Sequence, residues 1–317
     1  MRKTLSCVLS TSLFLFACGQ AEEAQDAAPP PAAPVVDEAA AVRAVAESWD
    51  PIANAENLDG MMGLFAADAV RLNAGEPAVV GAEAIRADFA AGWAANDSVG
   101  SNPVDEVQVA GDWAFARGTF VDSTTAADTG EVTEERGKWV SIFRKTADGW
   151  KYHLDSWNRD APPSAVPTGA AEPADRGVLP AVVTAANPAE EAILADGAAW
   201  DAANNAGDVD ALVALYAADA IRMSDAQPMI QGAEALRSDF EAGFAAQAPN
   251  GAGVTRGIEV DGDWAYAWGT WTDRPTIKAT GEVRDESGKW VNVLRASPEG
   301  WKIYVDLWNR DAAPPSQ

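Results

Sequence analysis

The sequence predicts an α+β protein made of two copies of one domain, each a curved antiparallel sheet wrapped around N-terminal helices. Two observations support this. Tryptophans recur at a constant spacing, since Trp49, Trp113, Trp139 and Trp157 are each followed by another tryptophan 151 positions later. Within each copy, apolar residues first follow helical spacing and later alternate as in strands, which is the order of elements in many α+β domains.

The duplication covers a whole domain. The spacing of 151 holds from Trp49 to Asp160 without an insertion, which is far longer than the repeat of a solenoid. It is most obvious at the end of each copy, where GWKYHLDSWNRD (149–160) returns as GWKIYVDLWNRD (300–311). A doubled ending of this kind has two interpretations: a doubled structural element or a doubled site.

The domain boundaries follow from composition. Residues 164–187 are rich in Pro, Ala and Gly and predict a linker. We therefore expect domain 1 over residues 39–163 and domain 2 over residues 188–315.

The N-terminus is predicted to lie outside both domains. Arg2 and Lys3 precede an apolar run that is too short for a stable membrane span, so residues 1–17 predict a secretory signal peptide. Residues 18–38 are rich in Ala, Pro and acidic side chains and predict an extended, mobile tether.

The end of this signal resembles a bacterial lipoprotein box, with the sequence Leu-Phe-Ala-Cys at 15–18. The resemblance implies cleavage before Cys18, lipidation of its thiol and attachment to a membrane. Gly19 stands where Asp would retain such a lipoprotein in the inner membrane, which implies the outer membrane, facing the periplasm. The alternative is an ordinary signal peptide followed by an incidental cysteine.

Charge and residue counts exclude several classes of function. The chain has 48 acidic and 23 basic residues and a formal net charge of −25, which excludes nucleic acid as a main partner. The cysteines, Cys7 and Cys18, both precede the domains, and there is one histidine in the chain. We therefore expect no disulfide, no metal site and no cofactor, since phosphate-binding glycine loops and nucleophile elbows are also lacking from the sequence.

The helices can be placed from apolar spacing and from helix breakers. Residues 190–206 predict a helix that ends at Gly207, followed by a second apolar helix. In domain 1, Pro51 falls inside the first helical pattern and predicts a kink or a shorter helix. A third helix is expected to begin after Gly81 and, in the second copy, after Gly232.

The strands follow from alternation. Short strands are expected at 69–73 and 220–224. In the strand that begins GDWAFARG, Trp113 and Phe115 share one face, while Ala114 and Ala116 share the other. The small residues would allow a helix or a ligand to come close to the sheet.

These segments carry a family resemblance. LYAADAIRM, GAEALRSDF, GDWAYAWGT and GKWVNVLR, with the final GWKIYVDLWN, resemble the SnoaL-like domains of the nuclear-transport-factor-like superfamily, as do their counterparts in domain 1. The resemblance covers about 40–160 and 190–312. It implies a cone-shaped, cystatin-like fold with a pocket at one end. Members include steroid isomerases, polyketide cyclases, dehydratases and non-catalytic binding or assembly modules, so the fold does not decide the activity.

The last strand weighs against catalysis. The family often places His or another polar residue at alternate, pocket-facing positions of this strand. Simple alternation assigns those positions to Leu154 and Ser156, and in domain 2 to Val305 and Leu307. Because these are mostly apolar, they favour an apolar pocket or a filled core.

Acid–base catalysis of the isomerase type needs a carboxylate base and a neutral donor such as tyrosine. The histidine and the tyrosines of one copy are not repeated in the other: His153 aligns with Tyr304, and Phe65 with Tyr216. An aspartate base with a tyrosine donor cannot therefore have been retained in both copies, although one copy could act alone with Tyr216 or Tyr266 as donor.

The best pocket candidates are polar residues present in both copies. They lie on the first helix, beside its tryptophan and four residues apart, and on the short strand. They are Trp49, Asp50, Asn54 and Arg71, with Trp200, Asp201, Asn205 and Arg222. The alternative is a structural ion pair between Asp and Arg. The Arg-Asp endings at 159–160 and 310–311 are expected to clasp the end of the sheet.

Taken together, these features predict non-catalytic binding of a small apolar or amphipathic ligand, or of a protein partner, in the cell envelope. An isomerase-like or cyclase-like enzyme with one active domain is the alternative, and a scaffold with filled pockets is a third possibility. In the superfamily the outer face of the sheet commonly forms a dimer interface. The two domains are therefore expected to pair as an internal pseudo-dimer.

Overall fold

The computed structural model describes residues 37–162 and 175–312. The predicted signal peptide, the lipidation site Cys18, residues 18–36 of the tether and residues 164–174 of the linker lie outside the described residues. Within the described ranges, no helix is both long enough and apolar enough to cross a membrane.

Domain 1 begins with helices and ends with long strands. Its helices are α1 (Glu38–Glu47), α2 (Trp49–Ala53), α3 (Leu58–Leu64) and α4 (Ala82–Ala95). Its strands are β1 (Phe65–Leu72), β2 (Val79–Val80), β3 (Asn96–Ser101), β4 (Val104–Ala110), β5 (Trp113–Ala126), β6 (Val132–Thr146) and β7 (Gly149–Arg159).

Domain 2 repeats this order. Its helices are α5 (Pro188–Ala206), α6 (Val209–Ala214) and α7 (Ala233–Ala246). Its strands are β8 (Tyr216–Met223), β9 (Ile230–Gln231), β10 (Gln247–Ala248), β11 (Gly251–Asp261), β12 (Trp264–Asp273), β13 (Thr276–Ile277), β14 (Glu286–Ser297) and β15 (Gly300–Arg310). The predicted α+β class with two curved sheets is confirmed.

The first helix differs between the domains as Pro51 predicts. In domain 2, α5 is continuous and ends at Gly207, whose φ of 67° suits glycine. In domain 1, Ser48 separates α1 from α2. Proline has no N–H with which to reach the carbonyl of residue 47, so the helical hydrogen-bond pattern is interrupted there.

The predicted start of the third helix is also confirmed. Gly81 and Gly232 precede α4 and α7 with φ of 87° and 88°, a conformation that other residues adopt at a cost. The short strand before this helix is longer than expected and forms a parallel pair with the last strand, β1 with β7 and β8 with β15, inside otherwise antiparallel sheets.

The last strand contains a β-bulge, and the expectation that Leu154, Ser156, Val305 and Leu307 face the pocket is wrong. The pairing of β6 with β7 shifts at His153, so Tyr152 and Asp155 lie on the pocket side. The same shift in β15 of domain 2 places Asp306 on the pocket side. Because an extra residue reverses the alternation, every later side chain lies on the opposite face from the one predicted.

The outer faces of the two sheets share one buried cluster. It combines apolar side chains of both domains, including Trp113, Phe115 and Leu154 from domain 1 with Tyr266 and Val305 from domain 2. The assignment of Trp113 and Phe115 to one face of β5 is confirmed, because Ala114 and Ala116 lie in the separate inner core of domain 1.

The repeated Trp-Asn-Arg-Asp ending contributes its asparagine to this contact. Asn158 Nδ2 donates to the carbonyls of Met223 (2.8 Å) and Trp308 (2.7 Å), both in domain 2. Asn309 Nδ2 makes the reciprocal bonds to Leu72 (2.8 Å) and Trp157 (2.9 Å). Both asparagines have no exposed surface, so these bonds satisfy side-chain N–H groups that water cannot reach.

Two buried lysines reach across in the same reciprocal way. Lys138 Nζ donates to the Gln227 carbonyl of domain 2 and lies 3.1 Å from Asp160. Lys289 Nζ donates to the carbonyls of Asn73 (2.8 Å) and Glu76 in domain 1, and lies 3.0 Å from Asp311.

The side chains of the arginines in the doubled ending bind acids of their own domains. Arg159 binds Glu135 at 2.8 Å, and Arg310 binds Glu286 at 3.2 Å. With the aspartate–lysine pairs, they join the end of each last strand to the strand beside it. The Arg-Asp pairs therefore clasp the sheet ends, as expected.

The described end of the linker contacts both domains. The carbonyl of Arg176 accepts a 2.8 Å hydrogen bond from the Val80 amide, and the Val183 amide donates to the Thr255 carbonyl at 3.1 Å. Leu179 packs against the cluster shared by the two sheets. Residues 175–187 therefore run from the surface of domain 1 to that of domain 2.

Candidate functional site

Each domain has a cavity between its helices and the inner face of its sheet. Cavity 1, in domain 1, has a volume of about 200 Å³. Cavity 2, in domain 2, has a volume of about 890 Å³. The two cavities lie in corresponding parts of their domains, but the strands at the rim differ, because β5 of domain 1 is continuous whereas β12 of domain 2 ends at Asp273 and β10 and β13 form a separate two-stranded sheet.

The floor of cavity 1 is a closed ionic cluster. Arg71 lies 2.8 Å from Asp88 and 3.3 Å from Asp155, and its guanidinium carbon lies 4.2 Å from the centre of the Phe89 ring. Ser141 donates to the second oxygen of Asp155 at 3.0 Å. Burial raises the pKa of Asp88 against the opposing effect of Arg71. All these groups are partnered, so the cluster is a self-sufficient part of the core.

The floor of cavity 2 repeats this cluster in a looser form. Arg222 lies 3.4 Å from Asp239 and 3.6 Å from Asp306, and its buried Nε and Nη1 have no hydrogen-bond acceptor among the described residues. Tyr216 donates to Asp306 at 2.8 Å, and Asn292, with its amide nitrogen turned inward, donates to the other oxygen at 3.1 Å.

The ionisation of this floor is shifted by burial. Desolvation raises the pKa of Asp306, and Arg222 and the Tyr216 hydroxyl act in the opposite direction. Desolvation also raises the pKa of Tyr216 well above its ordinary value, so the phenol remains a hydrogen-bond donor at neutral pH. Trp200 Nε1 donates to the Tyr216 hydroxyl at 3.1 Å. The two hydrogen bonds therefore form a series that runs from Trp200 through Tyr216 to Asp306.

The structure places most of the predicted pocket residues at these cavities. Trp49, Asn54 and Arg71 line cavity 1, whereas Trp200, Asp201 and Arg222 line cavity 2. Asp50 and Asn205 are not in the lining. They lie on the same helices, where Asp50 binds Asn102 between β3 and β4, and Asn205 binds the backbone of Gly251 in β11.

These two residues tie the first helix to the sheet. Asp50 accepts from the Asn102 amide at 3.0 Å. Asn205 Nδ2 donates to the Gly251 carbonyl and its Oδ1 accepts from the Gly251 amide, both at 2.8 Å. Asn54 makes the same pair of bonds to Gly100, at 3.0 and 2.8 Å.

A second set of paired acids at each cavity was missed by the sequence reasoning. Asp122 lies opposite Glu135 on β5 and β6, and both line cavity 1; Asp273 lies opposite Glu286 and both line cavity 2. Burial, then Glu135 and Asp50, raise the pKa of Asp122 to about 6. Burial also raises that of Asp273.

The signal for these acids was present in the sequence. They obey the same spacing of 151 as the tryptophans, as do the aspartates at 88 and 239 of the cavity floors. The aspartates at 122 and 273 also continue the alternation of their strands two residues beyond an inward aromatic residue. A complete comparison of equivalent positions would have included them.

Three substitutions to smaller side chains contribute to the difference in volume. Tyr152, Trp93 and Asn102 of domain 1 are replaced at the equivalent positions by Ile303, Phe244 and Gly253. In domain 1 the first two belong to an aromatic cluster around Trp49, whose ring centre lies 5.4 Å from that of Tyr152. Smaller side chains at these positions leave the corresponding space in cavity 2 empty.

Indole donors also differ between the cavities. Trp157 Nε1 donates to Asn73 at 3.0 Å. The equivalent Trp308 Nε1, like Trp271 Nε1, is buried without an acceptor among the described residues.

No group of three or more His, Cys, Asp or Glu in the described part of the chain is arranged to hold a metal ion.

Sequence comparison identifies the family. The SnoaL-like domain family matches residues 30–153 and 198–297, which is more than half of the chain. The chain belongs to the SnoaL-like family. Each of its two SnoaL-like domains contains helices, a bent sheet and a cavity. No curated protein matches the chain.

Solved structures similar to this SnoaL-like chain include a ketosteroid isomerase-like protein from Erwinia carotovora atroseptica (24% identity; 40% of this chain and 98% of that one; TM-score 0.38). An NTF2-like protein with a cystatin-like fold from Novosphingobium aromaticivorans is 22% identical (38% and 80%; TM-score 0.32). A protein with a cystatin-like fold from Nostoc punctiforme is 17% identical (40% and 93%; TM-score 0.33).

Proposed function

We propose that this protein binds a small amphipathic molecule in cavity 2 without converting it, while domain 1 serves as a paired scaffold. The observation that carries the proposal is the difference in volume, about 890 Å³ in cavity 2 against about 200 Å³ in cavity 1. Small-molecule sites commonly have volumes of about 300–1,000 Å³. Cavity 2 falls in that range and cavity 1 falls below it.

The lining of cavity 2 supports an amphipathic ligand. Its walls include the aromatic rings of Trp200, Phe240, Trp271, Trp290 and Trp308. Its floor includes Arg222, two of whose nitrogens lack acceptors. Aromatic walls with a few polar groups are typical of ligand sites, and an unsatisfied buried donor is stabilised when a ligand or water supplies an acceptor.

The geometry of the floor favours binding over catalysis. An isomerase-type site needs its carboxylate base and its neutral donor on different atoms of the substrate. Here the Tyr216 hydroxyl donates to Asp306 itself, so the donor and the candidate base occupy each other.

An enzyme with one active domain is the second candidate, and the buried carboxyl of Asp306 beside a tyrosine that domain 1 lacks is the observation that favours it. Asp306 is buried, its pKa is raised, and Tyr216 has no equivalent in domain 1, where Phe65 stands. If a substrate displaced the Tyr216 hydroxyl, Asp306 could accept a proton. Under this alternative, Tyr216→Phe abolishes turnover of an enolisable ketone. Under the binding proposal, no turnover is found in the unmodified protein.

The location of the protein is also proposed from its N-terminus. Lipidation of Cys18 would hold the domains at the outer membrane, facing the periplasm. Mass spectrometry of the mature N-terminal peptide should find a diacylglycerol group on Cys18, and Cys18→Ala should release the protein into the soluble fraction. An unmodified N-terminus beginning at another residue would contradict this.

The internal pseudo-dimer is likewise a proposal about the protein in solution. It is supported by the reciprocal bonds of Asn158 and Asn309 and by the shared apolar cluster. Paired domains should unfold in one cooperative transition by calorimetry. Two well-separated transitions would contradict the pairing.

The binding proposal can be tested with N-phenyl-1-naphthylamine, a neutral fluorescent probe. The full chain is placed in lipid nanodiscs, and empty nanodiscs serve as the blank. We expect one saturable site. Phe244→Trp should weaken binding because it introduces into domain 2 the larger side chain found at Trp93. Trp93→Phe is the matched control and should leave binding unchanged. Absence of saturable binding, or a change in binding in Trp93→Phe but not in Phe244→Trp, would refute the proposal.

A further inference from the structure

One carboxylate at cavity 2 has lost partners that its counterpart in domain 1 retains. Asp50 accepts from the backbone amide of Asn102 at 3.0 and 3.2 Å and from its side-chain Nδ2 at 2.8 Å. At the equivalent position, Asp201 accepts a hydrogen bond from the amide of Gly253 at 2.9 Å, and the structure gives it no side-chain donor among the described residues. Asp201 therefore has acceptor capacity that Asp50 has already used.

The missing side chain also leaves space beside this carboxylate. A Cβ atom placed on Gly253 would lie 3.6 Å from Trp290 Nε1 and 3.7 Å from Asp201 Oδ1. These are ordinary van der Waals distances, so an atom at this point contacts the carboxylate and the indole together. In domain 1 the Asn102 side chain fills the equivalent position. A ligand group can occupy it in domain 2.

The charge of cavity 2 indicates which ligand group fits there. Its lining includes six carboxylates and three arginines. Asp201 and Asp273 are in that lining, and neither forms a salt bridge with a described lysine or arginine. Partial burial raises the pKa of Asp201, with only the Gly253 amide opposing the shift. A cation beside this carboxylate would compensate its charge, whereas an anion would be repelled.

The aromatic lining accommodates the apolar body of such a ligand. Trp200, Trp290 and other aromatic rings belong to the lining of cavity 2 together with Asp201. The atom of Trp290 nearest to the space beside Gly253 is Nε1, at the positive edge of the ring, so the preference for a cation rests on the Asp201 carboxylate.

We propose that cavity 2 selects cationic amphiphiles, with the ammonium group of the ligand held by the Asp201 carboxylate in the space that Gly253 leaves open. This inference rests on the proposed binding function of cavity 2 and assigns it a ligand class. Asp201 is the residue that determines specificity for charge, and Gly253 determines access to it. Domain 1 has no such subsite because Asn102 occupies it.

The test uses three probes that differ only at their polar end: 2-(1-naphthyl)ethylamine, 2-(1-naphthyl)ethanol and 1-naphthylacetate. Each competes with N-phenyl-1-naphthylamine for the full chain in nanodiscs at physiological salt. The amine should bind about tenfold more tightly than the alcohol, as expected for a partly desolvated ion pair. The anion should bind most weakly.

Variants separate the subsite from the general acidity of the protein. Asp201→Asn should abolish the preference for the amine while leaving binding of the neutral probe. Asp50→Asn removes the same charge from domain 1 and should leave the preference intact. Gly253→Asn should weaken binding of the amine by filling the subsite, whereas Asn102→Gly should not change it.

Failure of the inference can be distinguished from failure of the proposed function. If the neutral probe binds in domain 2 but the alcohol competes as well as the amine, the inference is overturned and the binding function stands. The same holds if the preference survives Asp201→Asn. If none of the naphthyl compounds binds, the proposed function and the inference both fail.

Discussion

Domain 1 and domain 2 have the same charged floor and the same sheet ending, yet their cavities differ more than fourfold in volume, about 200 against about 890 Å³. In domain 1 the aspartates at the floor are hydrogen-bonded to Arg71, and bulky rings occupy the space above them. In domain 2 the equivalent ion pairs are longer, and smaller side chains leave the space open. A few substitutions have therefore changed the interior of one domain while the contact between the domains kept its symmetry.

The largest effect is expected from Arg71→Met. It leaves the buried Asp88 and Asp155 without their cation, which should lower the free energy of unfolding by about 3–5 kcal/mol. Arg222→Met should cost less, because the ion pairs that it removes are longer and Asp306 keeps the Tyr216 hydroxyl, a donor that domain 1 lacks at Phe65. Urea denaturation of both variants provides the measurement. An equal or larger loss for Arg222→Met would mean that the two floors do not differ as their distances indicate.

A proline in the first helix should also affect the stability of the two domains differently, and by almost as much as the loss of the arginine. Ala202 of α5 is exposed and is equivalent to Pro51. Ala202→Pro should destabilise the protein by about 3 kcal/mol, because it removes a helical hydrogen bond and causes a clash in a continuous helix.

The reciprocal change is the matched control. Pro51→Ala should alter stability by less than about 1 kcal/mol, because domain 1 already interrupts the helix at Ser48. Thermal unfolding followed by circular dichroism checks both. If Ala202→Pro were tolerated as well as Pro51→Ala, the continuity of α5 would have no energetic importance.

The two buried lysines test the contact between the domains. Lys289→Met removes bonds to two carbonyls of domain 1 and the partner of Asp311, and should cost about 2–3 kcal/mol. Lys138→Met removes a bond to one carbonyl of domain 2 and should cost less. Amide hydrogen exchange at residues 73–76 should increase in Lys289→Met, and at residue 227 in Lys138→Met. Unchanged protection there would contradict the pairing.

The smallest effect is a pH dependence restricted to domain 1. His153 is buried at the bulge with Nδ1 unpaired; Asp68 lies 3.8 Å away, and Tyr266 of domain 2 packs nearby. Burial, then the charge of Arg144, lower the pKa of His153 to about 4, from an ordinary value of 6.5. Between these values the unfolded chain binds a proton at His153 that the folded protein excludes. The contribution of the neutral imidazole to stability is therefore fully present above pH 6.5 and is lost as the pH drops toward 4.

This component should amount to about 1–3 kcal/mol over that interval. His153→Gln cannot titrate and should show a correspondingly shallower loss of stability in urea titrations at pH 7, 5.5 and 4.5. The carboxylates shared by both proteins cancel in the difference. Parallel curves for the two proteins would show that His153 becomes protonated without cost.

Much of the architecture could be predicted from local rules. Pro51 predicted the interrupted helix, Gly81 predicted the start of α4, and the alternation of Trp113 with Ala114 predicted the two faces of β5. Each of these depends on the chemistry of one residue or on neighbours two positions away. The clasp formed by the Arg-Asp endings was also predicted, because those residues lie at the end of a strand beside its partner.

The site was predicted less completely. The spacing of 151 directed attention to Trp49 and Arg71, but the same spacing was not followed to Asp122 and Asp273. The inward face of the last strand was assigned wrongly because a bulge at His153 inserts one residue into the alternation. Bulges depend on how two paired strands twist against each other, and sequence alternation does not report that.

The sequence by itself determined that a whole domain was duplicated, which elements it contains and in what order, because local propensity and residue spacing follow directly from the chain. The tertiary structure decided which face of the last strand meets the cavity, which of two similar interiors is open, and which partner Asn158 finds in the other domain. These properties depend on contacts between residues that are far apart in sequence, and on volumes that no single residue specifies.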